Sequence, residues 1–178
     1  VLWDKTGTLT HGLVRIEDVR PLRDASAADC LALAAALERM SEHPIAKAFL
    51  ACDTTTSVAT DVVVTAGSGL EGSVDGRRLR LGTLEFARGL ASAARDGDTP
   101  DVATASWVHL GDEQGLIAGF CLTDPLRAEA ANCVQQLAGL GLTSAIVSGD
   151  ATAAVARIAA RSGIGRFDSR LSPHAKVS

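Results

Sequence analysis

The sequence predicts an α/β unit interrupted by an inserted α+β unit, and three patterns carry that prediction. Val1-Leu2-Trp3 is a short apolar strand that stops at Asp4, and Lys5–Gly12 follows as a loop rich in Thr and Gly. From Asp124 onward helix and strand patterns alternate, the signature of a parallel, doubly wound sheet. Between these ends, short β-branched and apolar runs are joined by tight turns, as in an antiparallel sheet. The economical division assigns residues 1–20 and 122–178 to one split α/β unit and residues 21–121 to the insert.

Each element follows from its local chemistry. Val14–Pro21 reads as a strand leading out of the first unit. Asp24 or Ser26 can cap a helix through Leu31, Leu33, Ala34, Leu37 and Met40. Pro44 stands where the first turn of a second helix begins, with Ile45, Ala48 and Phe49 on its apolar side. Asp61–Thr65 is β-branched and strand-like. Leu70–Val74 and Arg77–Leu81 flank Asp75-Gly76, a two-residue hairpin turn. A short helix is expected from Leu84 to Ala93, then a polar loop over Arg95–Thr104. Ser106–Leu110 and Leu116–Leu122 form a second hairpin around Gly111–Gly115. The last part reads as a helix (Pro125–Leu140), a buried strand (Thr143–Val147), a turn at Ser148-Gly149-Asp150 and a second helix (Ala151–Arg161).

Composition narrows the function classes. Apolar residues make up 47% and charged residues 21% of the 178, enough for a packed core. The net charge of −4 and the lack of a basic stripe argue against nucleic acid. No apolar run approaches the roughly 18–20 residues that span a bilayer, so the chain alone is expected to be soluble. Cys30, Cys52, Cys121 and Cys133 have no metal-ligand spacing and read as reduced thiols. The chain lacks an initiating Met and both ends stop mid-pattern, so a fragment of a longer protein is expected.

The chemistry starts at Asp4-Lys5-Thr6-Gly7-Thr8-Leu9-Thr10. A carboxylate at the C-terminal end of a buried strand lies where α/β sheets place their active sites. The loop after it offers backbone N–H groups and the Thr6 and Thr8 hydroxyls to a phosphoryl group. Such a carboxylate can attack phosphorus and form an aspartyl-phosphate. This heptapeptide resembles the phosphorylation signature of P-type ATPases. In the related phosphatases of the haloacid dehalogenase superfamily, the residue two after the nucleophile is usually a second Asp. Here it is Thr6, a poor base for activating water, which suits a persistent phosphorylated intermediate.

Other segments extend the resemblance. Ser148-Gly149-Asp150 is similar to the family's T-G-D motif with Ser for Thr, and it precedes a helix N-terminus that favours anions. Lys176, three residues after Pro173, resembles the family lysine that neutralises phosphoryl charge. Asp124-Pro125-Leu126-Arg127 resembles the D-P-x-R hinge segment, which implies that Asp124 and Arg127 sit near the nucleotide. Ser41-Glu42-His43-Pro44 resembles the S-E-H-P motif of the heavy-metal subgroup, in which the His helps hold ATP, with Glu38 five residues earlier. Gly67-Ser68-Gly69 resembles that subgroup's G-x-G, where missing side chains let the backbone approach ATP. Gly82 also carries over, while Thr83 replaces the usual Asn. A dinucleotide fingerprint is rejected because a hairpin, not a helix, follows these glycines, and no Walker A sequence occurs.

The resemblance implies a haloacid dehalogenase-like (Rossmann-like) phosphorylation domain interrupted by a nucleotide-binding domain. It implies ATP and Mg²⁺ as cofactors, with Asp4 and the Thr6 carbonyl as a partial Mg²⁺ site. The family's further Mg²⁺ carboxylate is expected beyond Ser178, so poor self-phosphorylation of this chain is expected. The implied partners are the actuator and membrane domains of the same pump and a heavy-metal cation, with copper the expected ion. The implied location is the cell membrane, with this region on the cytoplasmic side. Two other readings compete. A soluble phosphatase is disfavoured by Thr6, and a non-catalytic nucleotide-binding module is disfavoured by the intact heptapeptide.

Overall fold

The computed structural model describes residues 1–91, 106–150 and 152–169. Along the chain run β1 (Leu2–Asp4), a π-type turn over Lys5–Leu9, β2 (Arg15–Pro21), α1 (Ala27–Glu38) and α2 (Ala46–Leu50). Next come β3 (Ala59–Thr65), β4 (Gly69–Val74), β5 (Arg77–Gly82) and α3 (Leu84–Arg88). They are followed by β6 (Ser106–Asp112), β7 (Gly115–Thr123), α4 (Ala130–Gly139), β8 (Ala145–Val147), α5 (Thr152–Ser162) and β9 (Arg166–Asp168). Two units result. One joins Val1–Leu13 to the chain from Asp124 onward, and the other begins at Val14 and ends with Ser106–Thr123.

In the split unit, β1, β8 and β9 form a parallel sheet in the order β1-β8-β9. Ile146 at its centre is fully buried, and Val155, Ile158, Ala159 and Ser162 recur at helical spacing on the buried side of α5. Leu9, Val134 and Ile164 complete this core. Burying each large side chain stabilises the unit by about 1.5–3 kcal/mol. The expected helix from Pro125 begins only at Ala130. Leu126 instead bridges Thr10, and the Arg127 N–H donates to the Leu9 carbonyl at 2.8 Å, so residues 125–127 are held against the Asp4 loop and a turn at 128–129 leads into the helix. Strand β9 is absent from the sequence reading, because three residues with one apolar side chain, Phe167, carry no periodicity.

In the insert, six antiparallel strands run in the order β2-β7-β6-β5-β4-β3. Helices α1 and α2 belong to its apolar core, where Leu37, Phe49, Leu79, Leu81, Leu110 and Phe120 are fully buried. Phe49 and Phe120 meet edge to face with centroids 5.0 Å apart. Ser26, one of the two expected caps, starts α1. Its Oγ accepts the Asp29 N–H at 3.0 Å, and the Asp29 carboxylate accepts the Ser26 N–H, a capping box. Helix α3 stops at Arg88, shorter than expected, because Gly89 and Leu90 form a turn; residues 92–93 of the expected span and the polar loop over 95–104 lie outside the described residues. At the far end of the sheet, the buried Asp112 carboxylate accepts from Arg23 at 2.7 Å and from Arg77 at 2.6 Å.

The first crossing between the units falls between Leu13 and Val14 rather than near residue 20. The reason is strand pairing: Arg15–Pro21 runs antiparallel to β7, from Arg15↔Thr123 to Pro21↔Ala118, and so belongs to the insert's sheet. As an edge strand β2 tolerates Pro21. At the other edge, β3 is interrupted between Thr60 and Val63, where Asp61 takes a left-handed φ of 53°.

Candidate functional site

In the split unit the candidate residues gather at the C-terminal ends of β1 and β8. The register pairs Asp4 with Val147, so the loop after Asp4 and the turn after Val147 leave neighbouring strands at the same end. Asp4 is exposed, and its Oδ1 accepts the Lys5 N–H at 3.1 Å. Leu9, 1% exposed, anchors the loop in the core, while Thr6, Gly7 and Thr8 stay at the surface. Gly7 has a φ of +82°, a conformation that needs glycine here. Beside it, Ser148 is buried. Its Oγ accepts the Asp150 N–H at 3.2 Å and donates to Asp150 Oδ2 at 3.2 Å, closing the turn through Gly149.

Two residues of the heptapeptide turn out to do more than the sequence reading assigned. Lys5 is 8% exposed, and its Nζ lies 2.7 Å from Asp150 Oδ2, tying the Asp4 loop to the Ser148 turn. Thr10 is fully buried, and its Oγ1 donates to Asp124 Oδ2 at 2.5 Å. Both stand within the heptapeptide, but only burial and pairing reveal their parts. Asp124 Oδ1 also accepts the Leu13 N–H at 3.2 Å. Arg127 donates to the Thr10 and Gly7 carbonyls, each at 3.1 Å. Lys176 lies outside the described residues.

For Mg²⁺, the donors at Asp4 and the Thr6 carbonyl are oxygens, the right kind for a hard cation. Among the described residues no group of three or more His, Cys, Asp and Glu comes together. That donor set matches the habit of Mg²⁺ of binding through one or two carboxylates plus waters and phosphate oxygens.

The insert holds a second candidate site, a cavity of about 280 Å³. Glu38, Ser41 and His43 line one side, and Gly67, Gly69, Gly82 and Thr83 another. Glu38 ends α1 and is fully buried, yet neither carboxylate oxygen finds a hydrogen-bond partner of good geometry. Burial pushes its pKa up, opposed by the nearby Ser41 hydroxyl and His43 ring. An orphaned carboxylate facing a cavity is costly unless a ligand supplies the missing partners. His43 is exposed. Its N–H donates to Ser41 Oγ at 3.2 Å, and its Nδ1 accepts the Ile45 N–H at 3.3 Å, which leaves Nε2 for a ligand.

The glycines differ in what they do. A Cβ on Gly69 would come 2.1 Å from the Leu81 carbonyl oxygen, and one on Gly82 would come 2.1 Å from the Ser68 oxygen. These two residues face each other across β4 and β5, so their missing side chains serve strand packing at the cavity floor. Gly67, with φ +74° and open space at its Cβ position, leaves room at the cavity wall. Thr83 caps α3, with its Oγ1 accepting the Phe86 N–H at 3.3 Å, which leaves its O–H and one lone pair for a ligand.

The haloacid dehalogenase-like hydrolase family model matches residues 1–177. A probable copper-transporting ATPase of Synechococcus sp. is 37% identical over 167 residues, covering 92% of this chain and 21% of that protein. A copper-exporting P-type ATPase of Mycobacterium tuberculosis is 33% identical over 183 residues, covering 99% of this chain and 24% of that protein. The chain thus spans about a fifth to a quarter of the length of these relatives. Among solved structures, a zinc-transporting PIB-type ATPase in the E2.Pi state aligns over 99% of this chain and 30% of its own, at 29% identity and a TM-score of 0.80.

Proposed function

The chain belongs to the haloacid dehalogenase-like hydrolase family, its relatives are copper- and zinc-transporting P-type ATPases, and from that premise we propose that it binds ATP in the insert and accepts the γ-phosphoryl group on Asp4. An Asp4 oxygen attacks the γ-phosphorus, the bond from phosphorus to the bridging oxygen breaks, and ADP departs with that oxygen. Water later attacks the same phosphorus, releasing inorganic phosphate and restoring the carboxylate. With Thr6 where an acid/base would stand, the acyl-phosphate outlives the first step.

The observation that carries this reading is the register Asp4↔Val147, with Lys5 bound to Asp150, which sets a nucleophile beside a hydroxyl-bearing turn at one sheet end. Ser148 and the loop N–H groups would bind phosphoryl oxygens, and Lys176 would offset their charge. Asp4 and the Thr6 carbonyl would hold Mg²⁺, which supplies charge neutralisation at the phosphates. In the insert, Glu38 and His43 Nε2 would meet the nucleotide, with Gly67 leaving room for it. The relatives support a larger reading: transport of a heavy-metal cation, with copper the ion proposed, through a membrane part, with this region on the cytoplasmic side. Among the described residues no helix is long and apolar enough to cross a membrane.

The test is radiolabelling from [γ-³²P]ATP with Mg²⁺ in the complete gene product, beside calorimetry of ATP binding. Asp4→Asn should abolish an acid-stable, hydroxylamine-labile label, and His43→Ala should weaken ATP binding several-fold. A label that survives Asp4→Asn would sink the aspartyl-phosphate reading. Stimulation of ATP turnover by Cu⁺ and not by Zn²⁺ would support copper as cargo, and the reverse would replace it with zinc.

A further inference from the structure

We propose that Arg127 is a positioning residue for phosphorylation of Asp4, acting by fixing the direction of the Gly7–Thr8 peptide, and that Asp124 and Thr10 lock the frame from which it does so. The proposal rests on the reading of Asp4 as phosphoacceptor. It departs from placing Asp124 and Arg127 at the nucleotide.

The lock is built from side chains and backbone of one unit. Arg127 Nη2 donates to the Gly7 carbonyl and its Nε to the Thr10 carbonyl, both at 3.1 Å, so one planar guanidinium spans both sides of the loop. The Arg127 N–H is itself spent on the Leu9 carbonyl at 2.8 Å, and the Pro125 carbonyl accepts the His11 N–H at 3.1 Å. Asp124 grips the next turn of chain, with Oδ2 on the Thr10 hydroxyl at 2.5 Å and Oδ1 on the Leu13 N–H at 3.2 Å. The fully buried Thr10 closes the loop on itself, since its N–H donates to the Lys5 carbonyl at 3.1 Å while its hydroxyl proton is directed to Asp124.

The consequence for the chemistry follows from peptide planarity. In a trans peptide the C=O and the next N–H point in opposite directions. A guanidinium that holds the Gly7 carbonyl therefore also aims the Thr8 N–H to the opposite side. Gly7 sits at φ +82° and ψ −14° after Thr6 at ψ 122°, so this peptide follows two consecutive non-helical residues and its direction is not set by a helical repeat. Preorganised backbone donors stabilise the charge that builds on a transferring phosphoryl group, provided their direction is fixed beforehand. Arg127 supplies that fixing from behind the loop, with its charge directed at carbonyls and not at phosphate.

The test measures phosphoenzyme formation from [γ-³²P]ATP in the complete gene product carrying Arg127→Ala, Arg127→Lys, Thr10→Val or Thr10→Ser, with thermal melting of each variant alongside. The expected result is a split. Arg127→Ala should slow labelling at saturating ATP by roughly ten-fold or more, with the half-saturating ATP concentration changed by less than about two-fold. Arg127→Lys, which can reach one carbonyl but not both in fork geometry, should recover only part of the rate. Thr10→Val should reproduce the loss and Thr10→Ser, which keeps the hydroxyl on Asp124, should restore it. A weaker ATP half-saturation in Arg127→Ala with an unchanged saturating rate would make Arg127 a nucleotide contact and overturn the proposal, as would no change in either. Should Arg127→Ala fail to fold, the Thr10 pair decides the matter, and equal rates in Val and Ser overturn it. If the wild-type protein carries no hydroxylamine-labile label, the aspartyl-phosphate reading falls and this proposal with it.

Discussion

At the scale of single residues, the two most informative side chains are buried, polar and lack a hydrogen bond of good geometry among the described residues. Glu38 has its pKa raised by burial, so its contribution to stability is fully present below the ordinary carboxylate value of 4.5 and is lost as pH rises through its folded value. Above pH 4.5, burial of a carboxyl that ionises more readily in the unfolded chain works against the folded insert. Glu38→Gln should therefore raise the melting midpoint at pH 7 by a few degrees, about what 1 kcal/mol gives in a domain of this size, while weakening ATP binding. The stability gap should narrow as pH is lowered toward 4.5, which a melting series with pH checks. His109 behaves in the opposite sense. It is 1% exposed, neither ring nitrogen has a partner among the described residues, and burial first and then the positive Arg88 pull its pKa below 6.5. Its contribution is present above that value and is lost as pH falls, because the unfolded chain takes up the proton more readily. His109→Leu should flatten the decline of stability below pH 6.5, as read by chemical denaturation at several pH values. Glu38 was legible from its spacing to the S-E-H-P segment. His109 was not, since a lone histidine in a strand gives no sign of whether its ring meets water.

At the scale of elements, what the sequence made legible was whatever has a repeating pattern or a capping residue. The two hairpins, α1 with its cap at Ser26, α2 after Pro44 and α5 all follow from local chemistry. The cap offers a direct check. Ser26→Ala removes the acceptor for the Asp29 N–H and should cost about 1 kcal/mol, seen as a lower denaturation midpoint with an unchanged slope. Two elements escaped for physical reasons. Strand β9 is too short to show a period, and residues 125–127, where a helix start is expected, are instead held by pairing with Leu9 and Thr10. Tertiary pairing overrides propensity there. The same blindness covers much of the candidate site. The heptapeptide identified Asp4, but the Lys5–Asp150 tie and the Thr10–Asp124 bond join residues more than a hundred positions apart.

At the scale of the whole molecule, the insert is continuous in sequence, carries its own core and pairs its first strand with its last. A polypeptide of residues 14–123 should fold cooperatively on its own and bind ATP within a few-fold of the whole chain. Circular dichroism melting and calorimetry test this, and an unfolded product would mean that the insert needs the split unit. The division into two units was legible because the hydrophobic period changes from alternating helix and strand to paired strands. The point of crossing was not, because β2 reads equally well as a strand of either unit until its partner is known. The opposite edge of the same sheet bears on how copies of the molecule meet. Strand β3 exposes Val58, Val63 and Val64 beside it or within it, a stretch that would invite a second copy to add its own strand and begin an aggregate. The left-handed Asp61 breaks the run of evenly spaced edge amides and sets a charge in its midst, so sheets cannot zip end to end in crowded solution.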